Sequence, residues 1–113
     1  MIQTMNRETG ARNYALKPLC WERSDKRFLG YSVDAILVKD EEAGGYVSSI
    51  AQLPGVFSEG DDAASAIQNL IEALGATIES YRKEGMPIPW RNPGPKEPNE
   101  DRFRIVVSCQ NCP

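Results

Sequence analysis

Alternating apolar and polar side chains predict two neighbouring β-strands in the first half of the chain. The first strand is predicted over 28–39, where one face is formed by Tyr31, Val33, Ala35 and Leu37. The polar, glycine-rich run 40–45 predicts a hairpin turn, so a second strand over 46–52 should pair antiparallel with the first. The Leu53-Pro54-Gly55 segment is expected to end the second strand, because proline cannot donate to a ladder, and 56–58 is predicted as a short third strand.

A helical repeat of apolar residues follows, and it predicts a long amphipathic helix after Asp61 or Asp62. Either aspartate can accept hydrogen bonds from the free N–H groups of the first turn. Gly85 is a suitable residue to end the helix, because it tolerates a left-handed backbone. The apolar stripe consists of Ala63, Ile67, Leu70, Leu74, Ile78 and Tyr81.

Three glycines in these elements predict a specific backbone conformation or a close contact. Gly55 and Gly60 lie in a sharply turning segment, and we expect both at positions where another side chain would be strained. Gly75 is unfavourable inside a helix, which predicts close approach of another backbone there, with a helix–helix contact in a dimer as the alternative.

The last third of the chain reads as a proline-rich connector followed by a final strand. Residues 86–99 hold five of the eight prolines, which predicts an extended connector. Residues 101–108 alternate again, with Phe103, Ile105 and Val107 on one face. The predicted order ββ(β)αβ indicates an α+β domain over 28–108, a small antiparallel sheet with one packed helix, between an extension at 1–27 and a tail at 109–113. The extension is expected to add an edge segment or to be partly disordered.

Charge is distributed unevenly along the 113 residues. The net charge is −3, but residues 31–85 hold ten acidic and only three basic side chains. Such a segment repels phosphate backbones and favours a basic protein partner, or it serves simply as a solvated surface. The chain offers no apolar run long enough to span a bilayer and no secretory signal pattern, so a cytoplasmic location is expected.

Catalytic chemistry finds little support in the residue types present. The chain has no histidine, which removes the commonest general base and metal ligand. Cys109 and Cys112 form a single CxxC, half of a tetrahedral site, and with Cys20 they are interpreted as structural or incidental thiols. A metal site pooled between two chains and a redox role remain the alternatives for the CxxC. We therefore predict no catalytic residue, no cofactor and no metal.

Two weaker patterns stay open beside this interpretation. Asp34 with Glu72 or Glu79 could form a relic carboxylate metal site, although the last strand adds no carboxylate. Pro95 and Pro98 match a PxxP ligand motif, for which rigid spacing of the last strand is the alternative.

Four short motifs together resemble the HicB-like antitoxin family over about residues 28–108. A GGY turn, an LPG segment, an SEGD helix start and a PIPW exit occur in the order and spacing of that family. The resemblance implies a partial RNase H-like fold without catalytic residues. The motif residues that it marks as possible partner contacts are Gly44, Gly45, Tyr46, Leu53, Pro54, Gly55, Glu59, Gly60, Asp61, Pro87, Pro89 and Trp90.

The same resemblance implies a function. Members of the family bind and inhibit a small basic HicA-type toxin that cleaves mRNA, and many carry a C-terminal DNA-binding domain. Only five residues follow Ser108, so direct DNA binding is not expected. We expect contacts through an exposed sheet edge or the 53–62 turn, and a homodimer or higher oligomer, because open sheets expose edges. The alternative is a standalone oligomeric module with no toxin partner.

Overall fold

The computed structural model describes residues 16–109, which form one five-stranded antiparallel sheet with a single helix packed on one face. The α+β prediction and the predicted element order are therefore confirmed. The elements in chain order are β1 (Leu19–Arg23), β2 (Lys26–Lys39), β3 (Tyr46–Ile50), β4 (Leu53–Gly60), α1 (Ala63–Lys83) and β5 (Asp101–Cys109).

The long strand β2 organises the sheet. β5 pairs with it from Leu29 to Leu37, along one edge. β1 pairs with its first residues, up to Gly30, and β3 pairs with its last ones, from Ala35 onward. Because β5 occupies one edge over both of these stretches, β1 and β3 must share the other edge. β4 pairs with the outer side of β3, so among residues 16–109 the outer sides of β4, β5 and the short β1 have no strand partner.

The helix begins and ends with capping motifs that the sequence indicates. Asp62 is the N-cap, and its Oδ1 accepts a hydrogen bond of 2.8 Å from the N–H of Ser65. At the other end Gly85 adopts a φ of +67°, and the N–H groups of Gly85 and Met86 donate to the carbonyls of Arg82 and Tyr81. These two bonds form a Schellman motif.

The core lies between the helix and β2–β4. Val33, Ala35, Ile50, Leu70 and Leu74 are completely buried there. The predicted apolar stripe is confirmed in its centre, but the buried face of the helix begins at Ala66, whose carbonyl accepts a 2.8 Å bond from Ser48 Oγ. Ala63 and Ile67 lie at the margin of the core and are only half-buried.

The connector between α1 and β5 contains no helix or strand, as predicted, and it is attached at two points. Trp90 enters the core with its ring 5.0 Å from that of Tyr31. Further along, the guanidinium of Arg102 donates to the carbonyls of Gly94 and Pro95 at 2.9 Å each and pairs with Glu100 at 2.8 Å.

The prediction that Leu53-Pro54-Gly55 ends a strand is wrong. The turn lies earlier, at Ala51 and Gln52, and β4 already begins at Leu53, which pairs with Ile50. The pairing then resumes only at Phe57 opposite Ser49, so Pro54 and Gly55 lie in a bulge of an edge strand. Proline is compatible with this position because a bulged edge residue needs no ladder hydrogen bond.

The expectations for the three glycines also change. Neither Gly55 nor Gly60 has a positive φ, and a Cβ at Gly55 would meet no atom within 4 Å. Gly60 is required by close approach, because a Cβ there would lie 2.4 Å from the backbone nitrogen of Ala66. A Cβ at Gly75 likewise meets nothing within 4 Å, so the predicted close approach of another backbone is absent among residues 16–109.

The N-terminal extension adds a strand, which was one of the two expectations for it. β1 forms a hairpin with β2 through a turn at Ser24 and Asp25, both of which have positive φ. The rings of Trp21 and Phe28 stack across this hairpin at 5.8 Å. In the part of the chain that the structure covers, no helix is both long and apolar enough to cross a membrane.

Candidate partner-binding surface

Half of the motif residues meet at one end of the molecule. Tyr46 of β3 pairs with Gly60 of β4, which brings the hairpin turn against the start of the helix. Gly45 has a φ of +80°, and a Cβ on it would lie 2.6 Å from the carbonyl oxygen of Gly60. The residues brought together in this way are Gly44, Gly45, Tyr46, Glu59, Gly60 and Asp61.

This end carries a dense group of carboxylates, which we call the acidic end: Asp40, Glu41, Glu42, Glu59, Asp61 and Asp62. Two of the six stabilise local structure. Asp40 Oδ1 accepts bonds of 3.1 Å from the N–H groups of Glu42 and Ala43 and so closes the hairpin turn. The N-cap bond from the Ser65 N–H holds the pKa of Asp62 below its ordinary value of 3.8.

The other four carboxylates are available to a partner. Glu41, Glu42, Glu59 and Asp61 are exposed, and none of them forms a side-chain hydrogen bond or ion pair with any residue from 16 to 109. Their negative potential therefore extends into solvent without a neutralising neighbour.

An exposed apolar patch adjoins the acidic end on the sheet face opposite the helix. Ser48 and Val56 point toward the helix, so the alternating positions Val47 and Phe57 point away from it. Val47 is 40% exposed and Phe57 is 66% exposed. Val47 pairs directly with Glu59, and half-buried Val38 pairs with Val47 from the other side. We call Val38, Val47 and Phe57 the open-face patch.

The remaining motif residues lie at the other end of β4 and serve mainly the fold. Leu53 pairs with Ile50 and Gly60 pairs with Tyr46, so four residues of β3, roughly 13 Å, separate this second group from the acidic end. The N–H of Arg91 donates to the carbonyl of Gln52 at 2.7 Å, which joins the connector to the turn before β4. Leu53 and Trp90 are buried in the core, whereas the exposed members of this group are Pro54, Gly55, Pro87 and Pro89.

The carboxylates considered for a relic metal site do not converge. Asp34 lies on the sheet face opposite the helix, away from Glu72 and Glu79, and Arg104 Nε pairs with it at 2.9 Å. Between residues 16 and 109, no three His, Cys, Asp or Glu residues are placed to hold a metal ion. Cys20 is exposed and free, while Cys112 lies outside the described residues and the Cys109 side chain is not described.

The motif residues marked as possible partner contacts do not include Val38, Val47 or Phe57. Phe57 nevertheless lies in the 53–62 segment that the sequence predicts to provide contacts. The alternation Val56-Phe57-Ser58 is a sequence signal for it, because a strand that directs Val56 to the core directs Phe57 to the opposite face. Phe57 is exposed because the helix covers the other face of the sheet.

Comparison with known proteins shows that the chain is similar to two proteins named UPF0150. It is 42% identical over 57 residues to the UPF0150 protein Ta0767 of Thermoplasma acidophilum, covering 50% of this chain and 81% of that protein. It is 39% identical over 64 residues to the UPF0150 protein ssr1765 of Synechocystis, covering 57% of this chain and 77% of that protein.

A third relative comes from a phage. The chain is 33% identical over 63 residues, 56% of its own length, to an uncharacterized 14.9 kDa protein in the rep-hol intergenic region of Haemophilus phage HP1, of which it spans 47%. No protein-family model matches the chain. No solved structure matches it either. The coverage and identity of the first two relatives show that the chain belongs to the UPF0150 family.

Proposed function

We propose that this protein is a non-catalytic, HicB-like antitoxin that binds and inhibits a small basic mRNA-cleaving toxin. The observation that carries the proposal is the acidic end, with its four unpaired carboxylates, next to the exposed open-face patch. The HicB-like motif pattern and the UPF0150 membership supply the class of partner.

The surface has the two components of a protein-binding site. Exposed aromatic and aliphatic side chains at the centre supply apolar contact, and charged groups at the rim supply orientation and rapid association. Phe57 and Val47 form the apolar part, and Glu59 directly beside Val47 begins the acidic rim. A basic toxin is attracted to such a rim, whereas the phosphates of a nucleic acid are repelled.

Inhibition follows from occlusion. A toxin that cleaves RNA must itself present a basic surface to bind its substrate. A partner that covers this basic surface with carboxylates competes with RNA for the same charges. The antitoxin then needs no catalytic group, only a complementary face held rigid by the sheet.

The experiment is a pull-down and a growth assay with the product of any gene beside this one that encodes a small basic protein. We expect wild-type protein to bind it and to rescue growth during its expression. A variant carrying E41Q, E42Q and E59Q should bind at least tenfold more weakly, with a slower association rate that becomes less dependent on salt. Replacing Phe57 with serine should accelerate dissociation instead.

A matched control carries the same change of charge elsewhere. The E72Q, E79Q and E84Q substitutions remove three exposed carboxylates from the helix and its C-cap and should leave binding unchanged. Equal weakening by both sets would indicate only a non-specific charge effect. Absence of binding and of rescue by the wild-type protein would exclude the antitoxin function.

A further inference from the structure

We propose that β5 is the dimerisation edge of this protein and that its partner is β5 of a second copy, paired antiparallel about a two-fold axis. The proposal concerns self-association and holds whether or not the protein binds a toxin. It starts from the difference between β4 and β5, the two long strands with an open outer side. The third such strand, β1, has only five residues and carries Glu22 and Arg23.

The edge of β4 is protected against pairing. Pro54 has no N–H to donate, and residues 54–56 bulge between the paired positions Leu53 and Phe57. Exposed Glu59 adds a charge near the end of the strand. A neighbouring strand would meet an interrupted ladder here.

The edge of β5 has none of these features. Its nine residues pair with β2 in continuous register from Asp101 to Cys109, without a bulge, and the strand contains no proline, glycine or lysine. Its two cations are neutralised inside the subunit, since Arg102 pairs with Glu100 and Arg104 pairs with Asp34. A regular, unpaired row of backbone N–H and C=O groups therefore faces outward.

Apolar side chains flank this edge on both sheet faces. Phe103 is 46% exposed on the side of the helix, and Val106 is 54% exposed on the other side. The helix covers β3 and β4 more fully than β5, which leaves an apolar groove beside the edge. The groove is lined by Leu37, Ile67, Ile71, Phe103 and Ile105. A second sheet added at β5 would shield these side chains from water.

The distribution of charge along β2 favours a second copy of the protein as the partner at the β5 edge. The hairpin end of the molecule carries Lys17, Arg23, Lys26 and Arg27 against only Glu22 and Asp25, whereas the acidic end lies at the opposite end of β2. A two-fold axis through β5 reverses the second copy. Each acidic end is thereby directed toward the basic hairpin end of the other copy, twice per dimer.

The test is the oligomeric state of matched edge variants, measured by light scattering after size-exclusion chromatography and by sedimentation. We expect the wild-type protein to be a dimer at micromolar concentration, with a dissociation constant that rises with salt. F103E should weaken the dimer by roughly 30-fold or more, because it places a charge at the centre of the new interface. F57E makes the same change at an exposed position of β4 and should leave the dimer intact.

Separate measurements test whether the variants fold and whether they bind a toxin. Thermal unfolding of both variants checks that they fold, and hydrogen exchange should show slower exchange at β5 in the dimer than in the F103E monomer. A monomeric wild-type protein would overturn the proposal, and so would a dimer that F57E dissociates while F103E does not. The toxin pull-down distinguishes the two proposals, because F103E should still bind toxin while the Phe57 variant should still dimerise.

Discussion

The side-chain amide of Gln52 takes the place of a neighbouring strand beside Asp34. Gln52 Oε1 accepts from the Asp34 N–H at 2.9 Å, Gln52 Nε2 donates to Asp34 Oδ2 at 3.2 Å, and the Ala51 N–H donates to the Asp34 carbonyl at 2.9 Å. These bonds lie in the gap along β2 between the last residue paired with β1 and the first paired with β3. The gap thus leaves no polar group of Asp34 unsatisfied.

Removing this amide should destabilise the fold. Q52A deprives the Asp34 N–H of its acceptor at a position where Gln52 is only 2% exposed, so we expect a loss of about 1–3 kcal/mol in the free energy of unfolding. Urea denaturation measures this loss. Q68A removes an exposed amide of the helix and should change stability by less than about 0.5 kcal/mol.

Arg102 should also contribute to the stability of the fold, because it hydrogen-bonds the connector to β5. R102M removes the hydrogen bonds to the Gly94 and Pro95 carbonyls and leaves the carboxylate of Glu100, which is 9% exposed, without its cation. We expect a loss of about 2–3 kcal/mol in the free energy of unfolding. R27M breaks an exposed pair of 3.7 Å with Glu22 and should cost at most about 0.5 kcal/mol. Equal losses in the two variants would contradict this role.

The two glycines of β4 should respond differently to alanine. In G60A the new Cβ meets the backbone of Ala66, which cannot move without shifting the first turn of the helix, so we expect a loss of about 1–3 kcal/mol in unfolding free energy. In G55A the Cβ enters open space, and the lower entropy of the unfolded chain should leave stability unchanged or slightly higher. Thermal melts of both variants provide the comparison.

Acid should weaken the helix N-terminus through Asp62. Its folded-state pKa is lowered, chiefly by the Ser65 N–H, so the stabilisation is complete above the ordinary pKa of 3.8 and is lost as the pH falls through the lower folded value. D62N keeps a capping oxygen that does not titrate. We expect D62N to match the wild type near neutral pH and to lose less stability below pH 3.8. The helical circular dichroism signal of both proteins, measured as a function of pH, tests this expectation. Identical acid unfolding profiles of D62N and the wild type would contradict it.

The sequence by itself determined the local elements. The alternation of β2, the helix with its Asp62 and Gly85 caps, and the last strand follow from side-chain period and capping chemistry, which act over a few residues. Local rules also explain the error at the start of β4. They treat Pro54 and Gly55 as a break, whereas an edge strand accommodates them in a bulge because its outer side needs no partner.

Only the tertiary structure decided which residues share a surface. Gly45 and Gly60 become neighbours through β3–β4 pairing, while Leu53 and Trp90 both lie in the core at the other end of β4. No sequence spacing distinguishes these two groups. The exposure of Phe57 and the open edge of β5 likewise depend on which face the helix covers and which strands lie outermost. Register and layer packing act between segments far apart in the chain, so period and composition alone do not determine them.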